Sequence, residues 1–292
     1  MKRMFFAISL FFAVSAAAQD NLRPSLEATY NAWREAMIRK DGNAWQRVTA
    51  EHRRVEVRNL VVSRKLPYPA AVFALPAPPP AIQRLTFLEA KQNGPTAKAA
   101  YFGKVDFGVG GEPTDNLLVL SFTRGSASWL YDRADFVNLS ALPQVRKELA
   151  AGNLKYLRET PDSQPSGKVP ITPISVNTAK VVAKVYVFCP GREVQVQINK
   201  VSRHRFANAK EAEVVIGGAV SGSNEVQFST KKLPGATGKE VMTIRVYLMS
   251  GKPGVKPIKS FEYQIAAGEA AKPFGSGSFV LNAATVARLE GK

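Results

Sequence analysis

The sequence predicts an α+β domain followed by an all-β sandwich domain. Three observations predict this class. Consecutive amphipathic helices are indicated at residues 25–65, and paired strand-like runs fill residues 83–137. Strand-like runs, with a short helix capped by Asn282 near the end, follow residue 173. A change from a 3.6-residue to a two-residue apolar repeat is what separates a helical part from a strand part.

The first 18 residues predict a cleaved export signal. Lys2 and Arg3 give a positive start, residues 4–14 are apolar, and Ala16-Ala17-Ala18 is an A-x-A cleavage site. We expect the mature chain to begin at Gln19 and to be periplasmic or secreted. An uncleaved membrane anchor is the alternative. No later stretch is long and apolar enough to span a membrane.

The first mature segment predicts consecutive amphipathic helices. An apolar stripe with helical spacing is formed by Leu26, Tyr30, Trp33 and Met37. Gly42 is expected to end the first helix in the left-handed conformation. Asn43 and Thr49 are expected to cap a second and a third helix. Six prolines in residues 66–80 then predict an extended segment.

Two hairpins are predicted after the prolines. Residues 83–91 and 98–107 flank Asn93-Gly94-Pro95, and residues 117–124 and 127–137 flank Gly125-Ser126. Pro143 favours a helix over residues 143–151.

Residues 20–155 resemble the SnoaL-like branch of the nuclear-transport-factor-2-like superfamily. The resemblance is carried by Tyr30, Trp33, Met37, the Lys40-Asp41-Gly42 break and Trp45, and by residues 117–122 followed by Ser128-Trp129-Leu130-Tyr131-Asp132. It implies an α+β cone, with helices on a curved mixed sheet and a pocket at the wide end. It also implies that a homodimer could form through that sheet.

The predicted boundaries are 1–18 for the signal, 19–159 for the SnoaL-like domain, 160–173 for a linker and 174–292 for the second domain. The linker is rich in Pro, Ser and Gly. After it, alternating runs are predicted as strands at residues 180–188, 193–201, 212–216, 225–230, 241–248, 260–265 and 278–281. About seven short strands favour an immunoglobulin-like β-sandwich, although the Cys-Trp-Cys pattern is absent.

The second half of the chain carries more net positive charge than the first. Residues 166–292 hold 18 basic and 8 acidic residues, and no Asp. An exported basic domain is attracted to anionic surfaces such as phospholipid headgroups, acidic glycans or stray nucleic acid, and an envelope protein is a further candidate partner. The alternative interpretation is that the positive charge serves only to keep the protein soluble.

Acid–base chemistry in the first domain would need a carboxylate in the pocket. The candidates are Asp106, His52 and Tyr101, with Asp132 as a further carboxylate. Asp106 is the best of them because it follows Val105 in an apolar strand. We expect His52 to be exposed at a helix start, and Asp132 to lie on an outer, ion-paired face.

A cationic cluster in the second domain is the binding candidate. It comprises Lys200, Arg203, His204 and Arg205, and we expect it on a loop or strand end, where it could grip a phosphate or carboxylate. A solvated loop is the alternative. Two His and one Cys, far apart, predict neither a metal site nor a cofactor. No nucleic-acid-reading module is present.

Three functional hypotheses follow, of which the third is a structural envelope protein with neither pocket nor chemistry. The first is a non-enzymatic envelope protein that binds a small apolar molecule or serves as an assembly scaffold, with a basic domain for partners or anionic surfaces. The alternative is an isomerase or hydratase that uses the pocket carboxylate.

Overall fold

The computed structural model describes residues 22–292, which form two compact units. The first unit contains residues 22–54 and 73–172, and the second contains Val55–Val72 and Pro173–Lys292. The predicted export signal lies outside the described residues. None of the described helices is both long and apolar enough to cross a membrane.

The first unit opens with the predicted helices. They are α1 (Leu22–Arg39), α2 (Gly42–Val48) and α3 (Glu51–Ser63), of which α3 continues into the second unit. Leu26, Tyr30 and Met37 of the predicted apolar stripe are buried. Periodicity therefore located the packed face of α1 correctly.

The turn between α1 and α2 differs from the prediction. Lys40, not Gly42, takes the left-handed conformation, with φ of 56°. Asp41, not Asn43, caps α2, since its side chain accepts a hydrogen bond from the Ala44 N–H at 2.9 Å. An Asp cap places a carboxylate at the positive end of the helix, which the amide of Asn43 could not do.

A four-stranded antiparallel sheet follows in the first unit. Its strands are β1 (Thr86–Asn93), β2 (Thr96–Val105), β3 (Thr114–Arg124) and β4 (Trp129–Asn138), in the order β1-β2-β3-β4. Both predicted hairpins are confirmed at their predicted turns. The short helices α4 (Pro143–Ala150) and α5 (Lys155–Glu159) complete the unit, and α4 begins at the predicted proline.

Each face of this sheet has its own apolar cluster. One face packs Tyr101, Leu118 and Phe122 against Leu26 and Tyr30 of α1. The opposite face packs residues of β2 and β3 against three leucines that follow β4: Leu139, Leu149 and Leu157. Because β3 is covered on both sides, Leu117–Phe122 is buried throughout, as expected for a central strand.

The second unit contains two antiparallel sheets that share one core. One sheet has the order β11-β10-β5-β8 and the other the order β12-β9-β6-β7. Their strands are β5 (Val182–Phe188), β6 (Arg192–Ile198), β7 (Ser202–Ala207), β8 (Lys210–Val214), β9 (Gly222–Lys232), β10 (Met242–Met249), β11 (Ile258–Ile265) and β12 (Phe274–Leu281), followed by α6 (Ala283–Leu289). Alternate residues of each long strand point into the core, as the two-residue repeat predicts.

The second unit also holds a helical segment, the part of α3 from Val55 onward. The Asn59 side chain accepts a hydrogen bond from Val176 N at 3.0 Å and donates one to Ile174 O at 2.8 Å. Ser63 Oγ accepts one from Gly217 N at 2.8 Å. These bonds join the helix to loops of the strand-rich part.

The predicted fold class, an α+β cone on a mixed sheet followed by an all-β sandwich, is therefore wrong. The described residues contain 12 strands in three antiparallel sheets and six α-helices, mostly near the N-terminus. The first sheet is not mixed, because short turns join its consecutive strands and only antiparallel strands can be joined in that way. The second unit is not all-β, because it includes Val55–Val72.

Candidate functional site

The first unit contains a cavity of about 530 Å³ that both charged and apolar residues line. One wall is the polar end of β2, β3 and β4, and the other is residues 160–170. A volume of this size lies in the range of small-molecule sites.

The sheet wall is built from cross-strand neighbours. Lys98 of β2 pairs with Ser121 of β3, which in turn pairs with Arg133 of β4. The adjoining rows add Thr96 opposite Thr123 and Asp135 opposite Val119. Paired side chains on neighbouring strands lie within contact distance, so these polar groups form a continuous patch.

The second wall is the segment that composition predicts as a linker. The Gly167 N–H donates to Thr96 Oγ1 at 2.8 Å, and Lys98 Nζ donates to the Asp162 carbonyl. Asn93 Nδ2 donates to the Pro165 carbonyl at 3.2 Å. The segment is therefore held on the sheet up to at least Gly167, and it closes one side of the cavity.

A buried histidine–carboxylate pair supports the cavity. The pairing of β3 with β4 shifts register after Ser121, and Asp132 is the extra residue at that bulge. Asp132 lines the cavity, and its Oδ1 lies 2.9 Å from His52 Nε2, with both side chains buried. Arg133 Nε lies 3.6 Å from the other carboxylate oxygen.

Opposing effects act on the pKa of Asp132. Burial alone would raise that pKa, since desolvation disfavours the anion. The His52 hydrogen bond and the charges of His52, Arg133 and Arg53 together outweigh burial and hold the pKa below its usual value. Asp132 is therefore ionised at neutral pH.

Lys98 is the cation closest to the centre of the sheet wall. Burial lowers its pKa, while the carboxylates of Asp135, Asp162 and Asp132 act to raise it, and Arg133 adds to the lowering. Lys98 is thus within electrostatic range of Asp132, Arg133, Asp135 and Asp162. The cavity brings cations and anions together in similar number.

Ser121 is the unsatisfied group of the site. Its Oγ is buried and makes no hydrogen bond to any residue in the described part of the chain. A buried hydroxyl without a partner costs free energy, and such groups are uncommon in folded proteins.

The structure does not bring the predicted catalytic residues together. Asp106 is exposed just after β2 and accepts a hydrogen bond from Gly108 N at 2.8 Å, which is a turn contact. Tyr101 lies on the opposite, apolar face of the sheet. Its hydroxyl lies 3.1 Å from Glu27 Oε1, and burial and that carboxylate raise its pKa.

The expectations for His52 and Asp132 were wrong on exposure. Both residues are buried, because α3 and the β4 bulge face each other at this point. Sequence spacing could not reveal this, since the two residues are 80 positions apart.

The side chains of the predicted cationic cluster do not all point the same way, because most of them lie on strand β7. Lys200 lies in the turn before β7, with φ of 60°, and Arg203 and Arg205 point outward. His204 points toward the core and is buried. The loop expectation missed β7, in which buried Ser202, His204 and Phe206 alternate with exposed residues.

His204 joins the edge strands of the two sheets. Its Nδ1 lies 2.6 Å from Glu213 Oε2 on β8, and its Nε2 lies 2.7 Å from Ser202 Oγ. Ser202 Oγ also accepts a hydrogen bond from Ile216 N at 2.7 Å. Although the chain of contacts resembles a Ser-His-carboxylate triad, Ser202 is fully buried, and a nucleophile must be reachable by its substrate. The arrangement is therefore structural.

Sequence reasoning missed Lys98, Ser121, Arg133 and Asp135. One signal could have found Ser121, because it is the single polar residue in the run Leu117–Phe122. The others belong to alternating strands whose outer face is expected to be polar.

The described residues contain no group of three His, Cys, Asp or Glu side chains arranged to hold a metal ion. Comparisons of the chain with protein-family models, with curated proteins and with solved structures found no match.

Proposed function

We propose that the first unit is a non-enzymatic binding module for a small zwitterion, such as a short peptide. The cavity sets Lys98 and Arg133 beside Asp132 and Asp135. A ligand carboxylate would pair with the cations and a ligand ammonium with the anions, as charge-assisted hydrogen bonds favour.

The observation that carries the proposal is Ser121 Oγ, a buried hydroxyl without a partner among residues 22–292, in the wall of a charged cavity. A polar ligand atom would satisfy it. The apolar ligand expected from the sequence is disfavoured, because it would leave the Asp132 carboxylate desolvated without an added partner.

Binding is favoured over acid–base catalysis by the state of Asp132. A general base works best when its pKa lies near the working pH. The contacts of Asp132 lower its pKa, which suits a permanent anion that pairs with a ligand cation. Asp106, the carboxylate on which the enzyme hypothesis depended, lies in an exposed turn.

The test is calorimetric titration of the protein with L-alanyl-L-alanine. N-acetyl-L-alanine methylamide has a similar shape without either charge and serves as the ligand control. We expect binding of the dipeptide and at least about tenfold weaker binding of the uncharged analogue. Equal binding of the two, or no binding of the dipeptide, would overturn the proposal.

Asp135→Asn tests the anionic half of the site, because the Asp135 side chain is exposed at the cavity rim and can be changed without a core defect. Lys147→Met is the control, since Lys147 is an exposed residue of α4. The first variant should weaken dipeptide binding about tenfold and the second should not.

A further inference from the structure

The outer face of the sheet β12-β9-β6-β7 carries rows of polar side chains that cross all four strands. One row contains Arg203, Gln197, Gln227 and Ser276, as the strand register requires. The next row contains Arg205, Gln195, Ser229 and Phe274. Each row runs from a guanidinium at the β7 edge to β12 at the opposite edge.

This face carries shallow, open depressions. Two adjoining depressions of about 340 Å³ each share Gln227, Phe228 and Phe274 as lining residues. The first extends to Gln195, Gln197 and Arg203, and the second extends to Ser276. Together they form a groove that crosses the strands, so an occupant would be elongated.

The amide groups in the groove are held in fixed orientations. Gln195 Nε2 donates to Glu193 Oε1 at 2.9 Å, and Gln227 Nε2 donates to Glu225 Oε1 at 2.7 Å. Each amide keeps a carbonyl oxygen and a second N–H for another partner. Donors and acceptors placed side by side match the hydroxyl groups of a sugar, each of which both donates and accepts.

Phe274 supplies an apolar platform at one end of the groove. It is 75% exposed, and its neighbour Gly275 has no side chain because the Phe228 ring occupies the inner side of that position. The ring is therefore open to an occupant of the groove. The C–H face of a sugar ring packs on such a ring, since aromatic side chains bury large apolar area.

The charges of the groove favour an anionic occupant. The Arg203 side chain forms no hydrogen bond or ion pair within residues 22–292, and the Arg205 guanidinium lies 2.7 Å from the Glu193 carboxylate. Lys200 and Lys231 are exposed beside the rows, whereas Glu193 and Glu225 are the acidic residues on this face. Positive charge is therefore in excess at the β7 edge, where a guanidinium fork suits a carboxylate.

We propose that this groove binds a linear acidic polysaccharide, a chain of sugars that carry carboxylates. One sugar packs on Phe274, the amides of Gln195, Gln197 and Gln227 bind hydroxyl groups, and Arg203 binds a carboxylate. Four strands span about 14 Å, a length that takes an oligosaccharide rather than a single sugar. This site lies in the second unit and does not depend on the zwitterion cavity of the first.

The test is titration of the protein with trigalacturonate, alongside maltotriose as the neutral saccharide and tripolyphosphate as a charged compound without sugar rings. Phe274→Ala and Arg203→Met are the groove variants. Val280→Ala, on the same strand outside the groove, and Lys256→Met, in the β10–β11 loop, are matched controls, since both residues are exposed.

We expect trigalacturonate to bind more tightly than either comparison compound, and each groove variant to weaken it about tenfold while the controls stay within about twofold. Tight binding of tripolyphosphate with no effect of Phe274→Ala would mean that charge alone acts, which overturns the proposal. Equal binding of maltotriose, or tight binding to phosphatidylglycerol vesicles without trigalacturonate binding, would also overturn it. Dipeptide binding in the first unit is measured separately, so failure of either site is distinguishable.

Discussion

His52 Nε2 lies 2.9 Å from Asp132 Oδ1, and both side chains are buried in the first unit. The contact joins the start of α3 to the bulge of β4, next to the main-chain bond from Ala50 N to Tyr131 O at 2.8 Å. It therefore fixes both the position and the charge of the carboxylate that lines the cavity.

Asp132→Asn should destabilise the protein by about 1–3 kcal/mol at neutral pH, because a charged hydrogen-bond partner of buried His52 is lost. The measurement is urea unfolding of the variant and the wild type. Asp106→Asn is the matched control, since that side chain is exposed and its amide oxygen can still accept from Gly108 N.

The loss in free energy of unfolding caused by Asp132→Asn should depend on pH. The folded-state pKa of Asp132 lies below the unfolded value, so its contribution is fully present above about pH 4 and is lost as pH falls through the folded pKa. The stability difference between wild type and variant should therefore shrink in acid. A difference that stays constant down to pH 2 would contradict the lowered pKa.

His204 should make the second unit sensitive to mild acid. Burial lowers the pKa of His204, and the Glu213 hydrogen bond only partly opposes this. The unfolded chain then binds a proton more readily, so stability is complete above about pH 6.5 and falls as pH drops toward the folded pKa.

The comparison is between wild type and His204→Asn, with the free energy of unfolding measured from pH 7.5 to pH 5. The variant should be less stable at pH 7.5 and should show a smaller decrease over the range. His52 is present in both proteins, so it does not contribute to the difference between the two curves. Parallel curves would show that His204 does not titrate differently on folding.

Gly275→Ala should destabilise the second unit by about 1–3 kcal/mol through overpacking. A methyl group there would lie 2.2 Å from the Phe228 ring, which is far inside contact distance. Gly251→Ala is the control, since nothing lies within 4 Å of its added methyl and its φ is not positive. Equal thermal melting of the two variants would contradict the packing of β12 on β9.

Ser121→Ala should leave the stability of the ligand-free protein unchanged within about 0.5 kcal/mol, because no hydrogen bond to the described residues is lost. It should weaken dipeptide binding. Ser63→Ala is the matched buried control: Ser63 Oγ donates to Asn59 O at 2.6 Å and accepts from Gly217 N, so its loss should cost about 1–3 kcal/mol. A large loss of stability in Ser121→Ala would show that the hydroxyl has a structural role.

Local pattern predicted the elements of this protein well and their assembly poorly. The stripe of Leu26 and Tyr30, the turn at Asn93-Gly94 and the alternation of β6 and β10 depend on near neighbours in sequence. The incorrect prediction of a mixed sheet came from a family resemblance that no finding tests. Within the second unit, residues 55–63 pack with residues after Pro173 through Asn59, whose partners lie more than 110 positions away in sequence. No local repeat contains that information.

In the candidate sites, too, local features could be predicted from the sequence and long-range assembly could not. Arg203 and Arg205 are exposed, whereas His204, which the sequence groups with them, is buried, because β7 alternates between two faces. Ser121 and Asp132 were not assembled into a site, since a register shift and the covering segment 160–170 create the cavity. Export and the predicted signal remain predictions from residues 1–18.

The central claim is that the first-unit cavity holds a zwitterion, and protection of Lys98 from amine acylation tests it most directly. Mass spectrometry would follow acylation of each lysine with and without L-alanyl-L-alanine. We expect the dipeptide to slow modification of Lys98 at least about tenfold and to leave modification of Lys147 unchanged. Unchanged modification of Lys98 at a dipeptide concentration that saturates the protein by calorimetry would place the ligand elsewhere and contradict the account.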